Sequence, residues 1–192
     1  MKRVFLIVLL ASLAVYSCNS DNQKKNPPVA DAKIKSVAAP QDAVTTKTEE
    51  LKKSTPVGLD QLSSWLPGEL NGIKRSNLTM SSDMGYAVAH ADYEKNNKTD
   101  IRVTVYDCSG ETGANLYKTT YASKLKESQE TEDSYTKTID FMGGKAVEHH
   151  EKKNKVTTLT YMASNQILLV VSARNLDPET VREAAQKLGN KG

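Results

Sequence analysis

Four stretches of strand character follow one another between residues 135 and 173, with only a few turn residues between each pair. They are 135–141, 145–151, 156–162 and 167–173, separated by Gly143 with Gly144, by 152–155, and by Ser164 with Asn165. Connections this short leave neighbouring strands no choice but to fold back on one another, so an antiparallel meander is expected. The run Ile167, Leu168, Leu169, Val170, Val171 is continuously aliphatic. A strand of that kind is buried on both faces, which places it centrally in the sheet.

The segments around this meander complete an α+β pattern. Ile101, Val103 and Val105 alternate with Arg102, Thr104 and Tyr106, as in a half-buried strand, and 86–93 is expected to pair with it. Leu59, Leu62 and Leu66 share one helical face before Pro67 and Gly68 stop the segment. Near the end, Asp177 can cap, Pro178 suits the first helical position, and Val181, Ala184, Ala185 and Leu188 make one apolar stripe closed by Gly189. A middle helix over 113–125 rests on Tyr117, Tyr121 and Leu125 at intervals of four. The expectation is one α+β domain over 58–192, with a mainly antiparallel sheet of about six strands packed by two or three helices. Its order of elements is similar to the fold shared by PsbP and Mog1 proteins, a likeness of order that implies no particular activity.

Residues 18–57 read differently. They are rich in Asn, Asp, Lys, Gln, Ser, Thr, Pro and Ala, and no aromatic stands between Tyr16 and Trp65. Such a segment buries too little apolar surface to offset its ordering entropy, so a disordered tether of about 40 residues is expected. As a flexible coil it would span about 35 Å. Glu49 and Lys53, four apart, would support at most a local helical turn.

The first 17 residues open with Lys2 and Arg3, continue with an uncharged apolar run from Val4 to Val15, and end at Tyr16 and Ser17 before Cys18. The run is about a dozen residues, short of the roughly 20 that span a bilayer as a helix. The segment resembles a bacterial lipoprotein signal, with Val15, Tyr16, Ser17 and Cys18 in the lipobox positions and Tyr16 departing from the small residue usual there. The resemblance implies cleavage before Cys18, acylation of its sulfur, and attachment to a membrane of the cell envelope outside the cytoplasm. Two or three acyl chains, at about 0.8 kcal/mol per buried methylene, make such attachment stable. Removal of Lys2 and Arg3 from the 26 basic residues leaves 24 against 23 acidic ones. A chain so balanced, with no basic stripe interleaved with aromatics, is not expected to bind nucleic acid.

No motif for covalent chemistry emerges. The polar turn 107–113 lacks the Lys and Ser or Thr of a phosphate loop, having Ala114 and Asn115 after its last glycine. No GxSxG or HExxH occurs, and His149 and His150, adjacent on a strand, point to opposite faces, so neither a cofactor nor a metal is expected. Cys108 beside a helix start is the one candidate nucleophile, against its reading as a lone cysteine in a strand-ending turn. Lys152, Lys153 and Lys155 read as a solvated hairpin turn. The expectation is a non-enzymatic envelope domain that binds a protein or a small apolar ligand or assists assembly, with a Cys108 enzyme or a lipid carrier as the alternatives. Replacement Cys18→Ala should release the chain from membranes while leaving the domain folded. Fractionation after high-salt washing checks this, and an alanine variant that is still processed and yet stays in the membrane pellet would refute acylation at Cys18.

Overall fold

The computed structural model describes residues 40–95 and 99–189. Among them nine strands form one antiparallel sheet in the order β1-β2-β3-β4-β9-β8-β7-β6-β5. These are β1 (Glu69–Leu70), β2 (Ile73–Ser81), β3 (Val88–Lys95), β4 (Thr99–Asp107), β5 (Gln129–Glu130), β6 (Ser134–Phe141), β7 (Gly144–Glu151), β8 (Val156–Met162) and β9 (Ile167–Arg174). The helices are α1 (Pro40–Lys53), α2 (Leu59–Ser63), α3 (Gly110–Thr120) and α4 (Pro178–Gly189), with a 3-10 turn at Ala122–Lys126. The expected meander is present as β6 to β9, and β9 sits fifth of nine, in the centre. The expected α+β class with a mainly antiparallel sheet holds, but about six strands and two or three helices were too few against nine strands and four α-helices among the described residues. β1 and β5 are two residues each, and β2 alternates poorly because Leu78 and Met80 are its only large apolar residues after Ile73.

Alternation on the central strand divides the core in two. Leu169, Val171 and Ala173 face a large cluster with Ala89, Tyr93, Val103 and Leu159, covered by Leu62 and Leu66 and by Val181, Ala184, Ala185 and Leu188 of α4. Leu168 faces the other way, into a smaller cluster with Leu51, Cys108, Ala114, Tyr117, Tyr121 and Val147. The cap of α4 is as expected: the Thr180 amide donates to Asp177 Oδ1 at 2.9 Å.

The second cluster corrects the boundary expected at residue 58. Residues 40–53, inside the span read as tether, form α1, and Leu51 at their C-terminal end is fully buried. Val44 and Leu51 are the only large apolar side chains on α1, a weak periodic signal, so the helix depends on what it meets. Its partner is α3: Lys52 pairs with Glu49 at 3.0 Å and reaches Glu111 of α3 at 3.3 Å. The segment after α1 is fixed by Asp107, which is 1% exposed. Its Oδ2 accepts the Val57 amide at 2.9 Å and the Ser109 hydroxyl at 2.7 Å, while Oδ1 accepts the Ser109 amide at 3.0 Å. Gln166 bridges the same carboxylate and the Thr55 carbonyl. The glycines of the turn 107–113 serve this packing: Gly110 has φ +73°, and a Cβ on Gly113 would lie 2.5 Å from the Cys108 carbonyl carbon. The remainder of the expected tether, 18–39, and Cys18 itself lie outside the described residues.

Deleting residues up to 57 should therefore destabilise the domain, whereas deletion up to 39 should not. Leu51→Ala alone should cost about 2–5 kcal/mol. Denaturant midpoints of the two truncations and the point variant check this, and equal midpoints for both truncations would contradict a structural role for α1.

Candidate functional site

Among the described residues, the face of the sheet that carries α1 and α3 is covered only at one end. Next to the Leu168 cluster, alternation brings mostly polar side chains into register across the strands. One row runs Asp92, Arg102, Ser172, Thr158, His149, Thr136. The next runs His90, Thr104, Val170, Thr160, Val147, Thr138. Threonine serves both requirements of such a face, since its branched Cβ favours the extended backbone and its hydroxyl suits a surface in contact with water.

Neighbours within these rows are hydrogen-bonded. Arg102 Nε donates to Asp92 Oδ1 at 2.8 Å, and His90 lies between Thr104 Oγ1 at 3.0 Å and the same Asp92 oxygen at 3.2 Å. Burial on its own would raise the Asp92 carboxyl, but the hydrogen bonds from Arg102 and Asn77 outweigh it and hold the group below its ordinary value. Thr158 donates to Ser172 at 3.2 Å, and Thr136 Oγ1 lies 2.9 Å from His149 Nδ1.

Where the 3-10 turn stands beside these rows, a cleft of about 320 Å³ opens, lined by Lys124, Glu127, Thr136, Val147, His149, Thr158 and Thr160. The turn is held to the sheet by Thr138, whose hydroxyl donates to the Leu125 carbonyl at 3.0 Å. Hydroxyls and an imidazole edge make the floor, and opposite charges from Lys124 and Glu127 stand on the wall. Such a lining can donate and accept hydrogen bonds to a polar solute. A smaller hollow of about 80 Å³ on the same face is lined in part by Asp100, Arg102, Ser172 and Arg174. Asp100 Oδ1 is buried with no hydrogen-bond partner among the described residues.

The residues singled out from sequence are dispersed. His149 and His150 point to opposite faces: His149 enters the cleft, while His150 Nδ1 contacts Thr157 at 2.9 Å and its ring lies 5.4 Å from that of Tyr135. Among the described residues no group of three His, Cys, Asp or Glu side chains is placed to hold a metal ion. Cys108 is fully buried in the smaller cluster, where burial, reinforced by the Asp107 charge, pushes its thiol up to about 12. That environment opposes formation of a thiolate.

Sequence reasoning passed over the cleft because its threonines read only as strand formers. Thr136 with Thr138 and Thr158 with Thr160, spaced by two, were the available sign of a polar face.

On the opposite side of the sheet a second polar cluster is structural. Glu148 is fully buried and accepts from Arg182 Nε at 2.6 Å, from the Tyr135 hydroxyl at 2.8 Å and from Lys137 at 3.1 Å, while Arg182 also meets Glu179. Burial alone would raise the Glu148 carboxyl, yet these three donors hold it below its ordinary 4.5. The cluster ties α4 to β6 and β7. Compared with known proteins, the chain matches no family model, no curated sequence and no solved structure.

A carboxyl depressed in the folded state contributes stability that is present above its unfolded value and lost as pH falls through the folded one. Arg182→Met removes two of the hydrogen bonds to Glu148 and leaves burial less opposed. It should destabilise the domain by about 3 kcal/mol at neutral pH, the low end for a broken buried pair. Its acid unfolding should also begin at a higher pH than that of the native chain. Circular dichroism across pH 2–7 checks both, and an unchanged acid midpoint would count against the assignment.

Proposed function

We propose that the chain is an envelope lipoprotein, attached to a membrane outside the cytoplasm through acyl groups on Cys18, whose domain binds a polar ligand without transforming it. The location rests on the order of charge, apolar run and cysteine in the first 18 residues. The binding role rests on one observation, the hydroxyl- and imidazole-floored cleft beside the 3-10 turn.

Two features weigh against the alternatives. A nucleophilic role for Cys108 needs an accessible thiolate, and the side chain is sealed among Leu51, Ala114, Tyr117 and Leu168 with a raised pKa. A carrier of lipid or other apolar ligands needs a pocket lined by hydrocarbon, whereas Val147 is the one apolar residue lining this cleft. The opposite charges on the wall suit a solute that carries both signs, such as an amino acid or a short peptide.

Titration of the Cys18→Ala chain, monitored through the imidazole resonances, separates these readings. Amino acids and dipeptides should shift the His149 signals and leave those of His150 in place, and Thr158→Val should abolish the effect. A response to a medium-chain fatty acid instead would favour the carrier, and no response to either class would remove the cleft as the binding site.

A further inference from the structure

The two edges of the sheet are finished differently. At one edge β6 is partly covered by β5, which pairs at Tyr135 and Thr136, and its remaining length carries Lys137 and Asp140. Charges and short covering strands of this kind protect an edge from further pairing. At the other edge β1 pairs with β2 only at Ile73 and Lys74, and the Gly68 carbonyl accepts the Arg75 amide. Among the described residues no strand lies on the outer side of β2 from Asn77 to Ser81. From Ser76 to Ser82 the chain has no charged residue and no proline. Met80 in the middle of this run is 41% exposed.

We propose that this edge pairs with β2 of a second copy of the chain, antiparallel about a two-fold axis at Thr79, joining the two sheets. In this register Asn77 faces Ser81 of the other copy, Leu78 faces Met80, and Thr79 faces itself. Leu78 and Met80 pair with Ala91 and Ala89 of β3, so they lie on the face of the larger core, and Leu78 already packs against that core. The two-fold therefore places Leu78 and Met80 of both copies together as an extension of it, which covers the exposed methionine. The charges flanking the run are opposite in sign, Arg75 before it and Asp83 after it. An antiparallel arrangement brings each near its complement, whereas like charges would meet in a parallel one. β1 and the Gly68 carbonyl before it reach no further than Arg75 and leave the five residues from Asn77 to Ser81 clear. The interface is isologous and closes on itself, so it yields a dimer rather than a fibre.

The test uses the full acylated chain in mild detergent. Sedimentation should give a dimer, and Met80→Lys, a charge introduced at a partly exposed site, should weaken association at least about tenfold without lowering the melting temperature. Asp83→Lys should weaken it too, by placing like charge near Arg75. Thr79→Cys should form an intermolecular disulfide faster than Lys153→Cys, because paired positions in an antiparallel ladder lie within disulfide reach. Met80→Lys should suppress that disulfide. A monomer at every concentration, or a dimer untouched by Met80→Lys and Asp83→Lys and therefore held by the anchors alone, would overturn the proposal. A monomer whose amides at 77–81 resist hydrogen exchange would overturn it in favour of some other strand on the edge.

Discussion

The central strand β9 sets the constraint from which the other layers follow. It is paired on both sides, to β4 and to β8, and it is apolar on both faces. Because side chains alternate with a period of two, Leu168 must face one way and Leu169 and Val171 the other. Each direction then requires its own cover. Helices α2 and α4 supply one, with enough small and branched residues to close a core along the sheet. The opposite face offers a smaller apolar ground, Leu168, Val147 and Cys108 with the partly buried Tyr106, Met162 and Val170 beside them, so α1 and α3 cover one end of it and most of the remainder is polar.

Buried charge secures both helical layers, in two different ways. Asp107 accepts hydrogen bonds from Val57, Ser109 and Gln166, so its stabilisation comes from neutral donors that fix the segment between α1 and α2. Glu148 meets cationic donors, Arg182 and Lys137, and joins α4 to the outer strands. A fully buried carboxylate is costly unless its lone pairs are satisfied, and for that reason such groups fix one arrangement of elements against others that would leave them unpaired. Apolar packing alone would let α1, with its single buried leucine, slide along the smaller cluster. The Asp107 bonds to the segment just after it remove that freedom.

How much of this was legible depended on whether the decisive partner was near in sequence. The hairpins of β6 to β9 and the cap and stripe of α4 are local features, and each stood in the pattern of residues 135–189. The α1 helix was not, because its stability resides in Leu51 meeting Tyr117 and Ala114 and in Lys52 meeting Glu111, some 60 residues away. β2 escaped for a related reason: a strand at the sheet edge needs only a few apolar residues, so Leu78 and Met80 give no convincing alternation. The cleft was hidden by chemistry rather than by distance. Thr136, Thr158 and Thr160 are ordinary strand residues individually, and only the pairing register places them with His149 beside Lys124. In sequence Glu148 is merely an acidic neighbour of two histidines, while its tie to Arg182 needed the fold.

The same register also explains why the polar face stays intact as a surface. Its hydroxyls and imidazoles are bonded to one another along the rows, Arg102 to Asp92, His90 to Thr104, Thr158 to Ser172 and Thr136 to His149, so few side chains have to be ordered when something binds there. Preorganisation of this kind lowers the entropy lost on association, which matters most for a small solute that makes only a few contacts. The lining is also divided between rigid and adjustable parts. The floor comes from β6, β7 and β8, strands paired on both sides over the cleft, whereas Lys124 and Glu127 rise from a short turn and extend into solvent. Fixed hydroxyls can therefore select for hydrogen-bonding shape, and the two long charged side chains can follow differences in length between one polar solute and another.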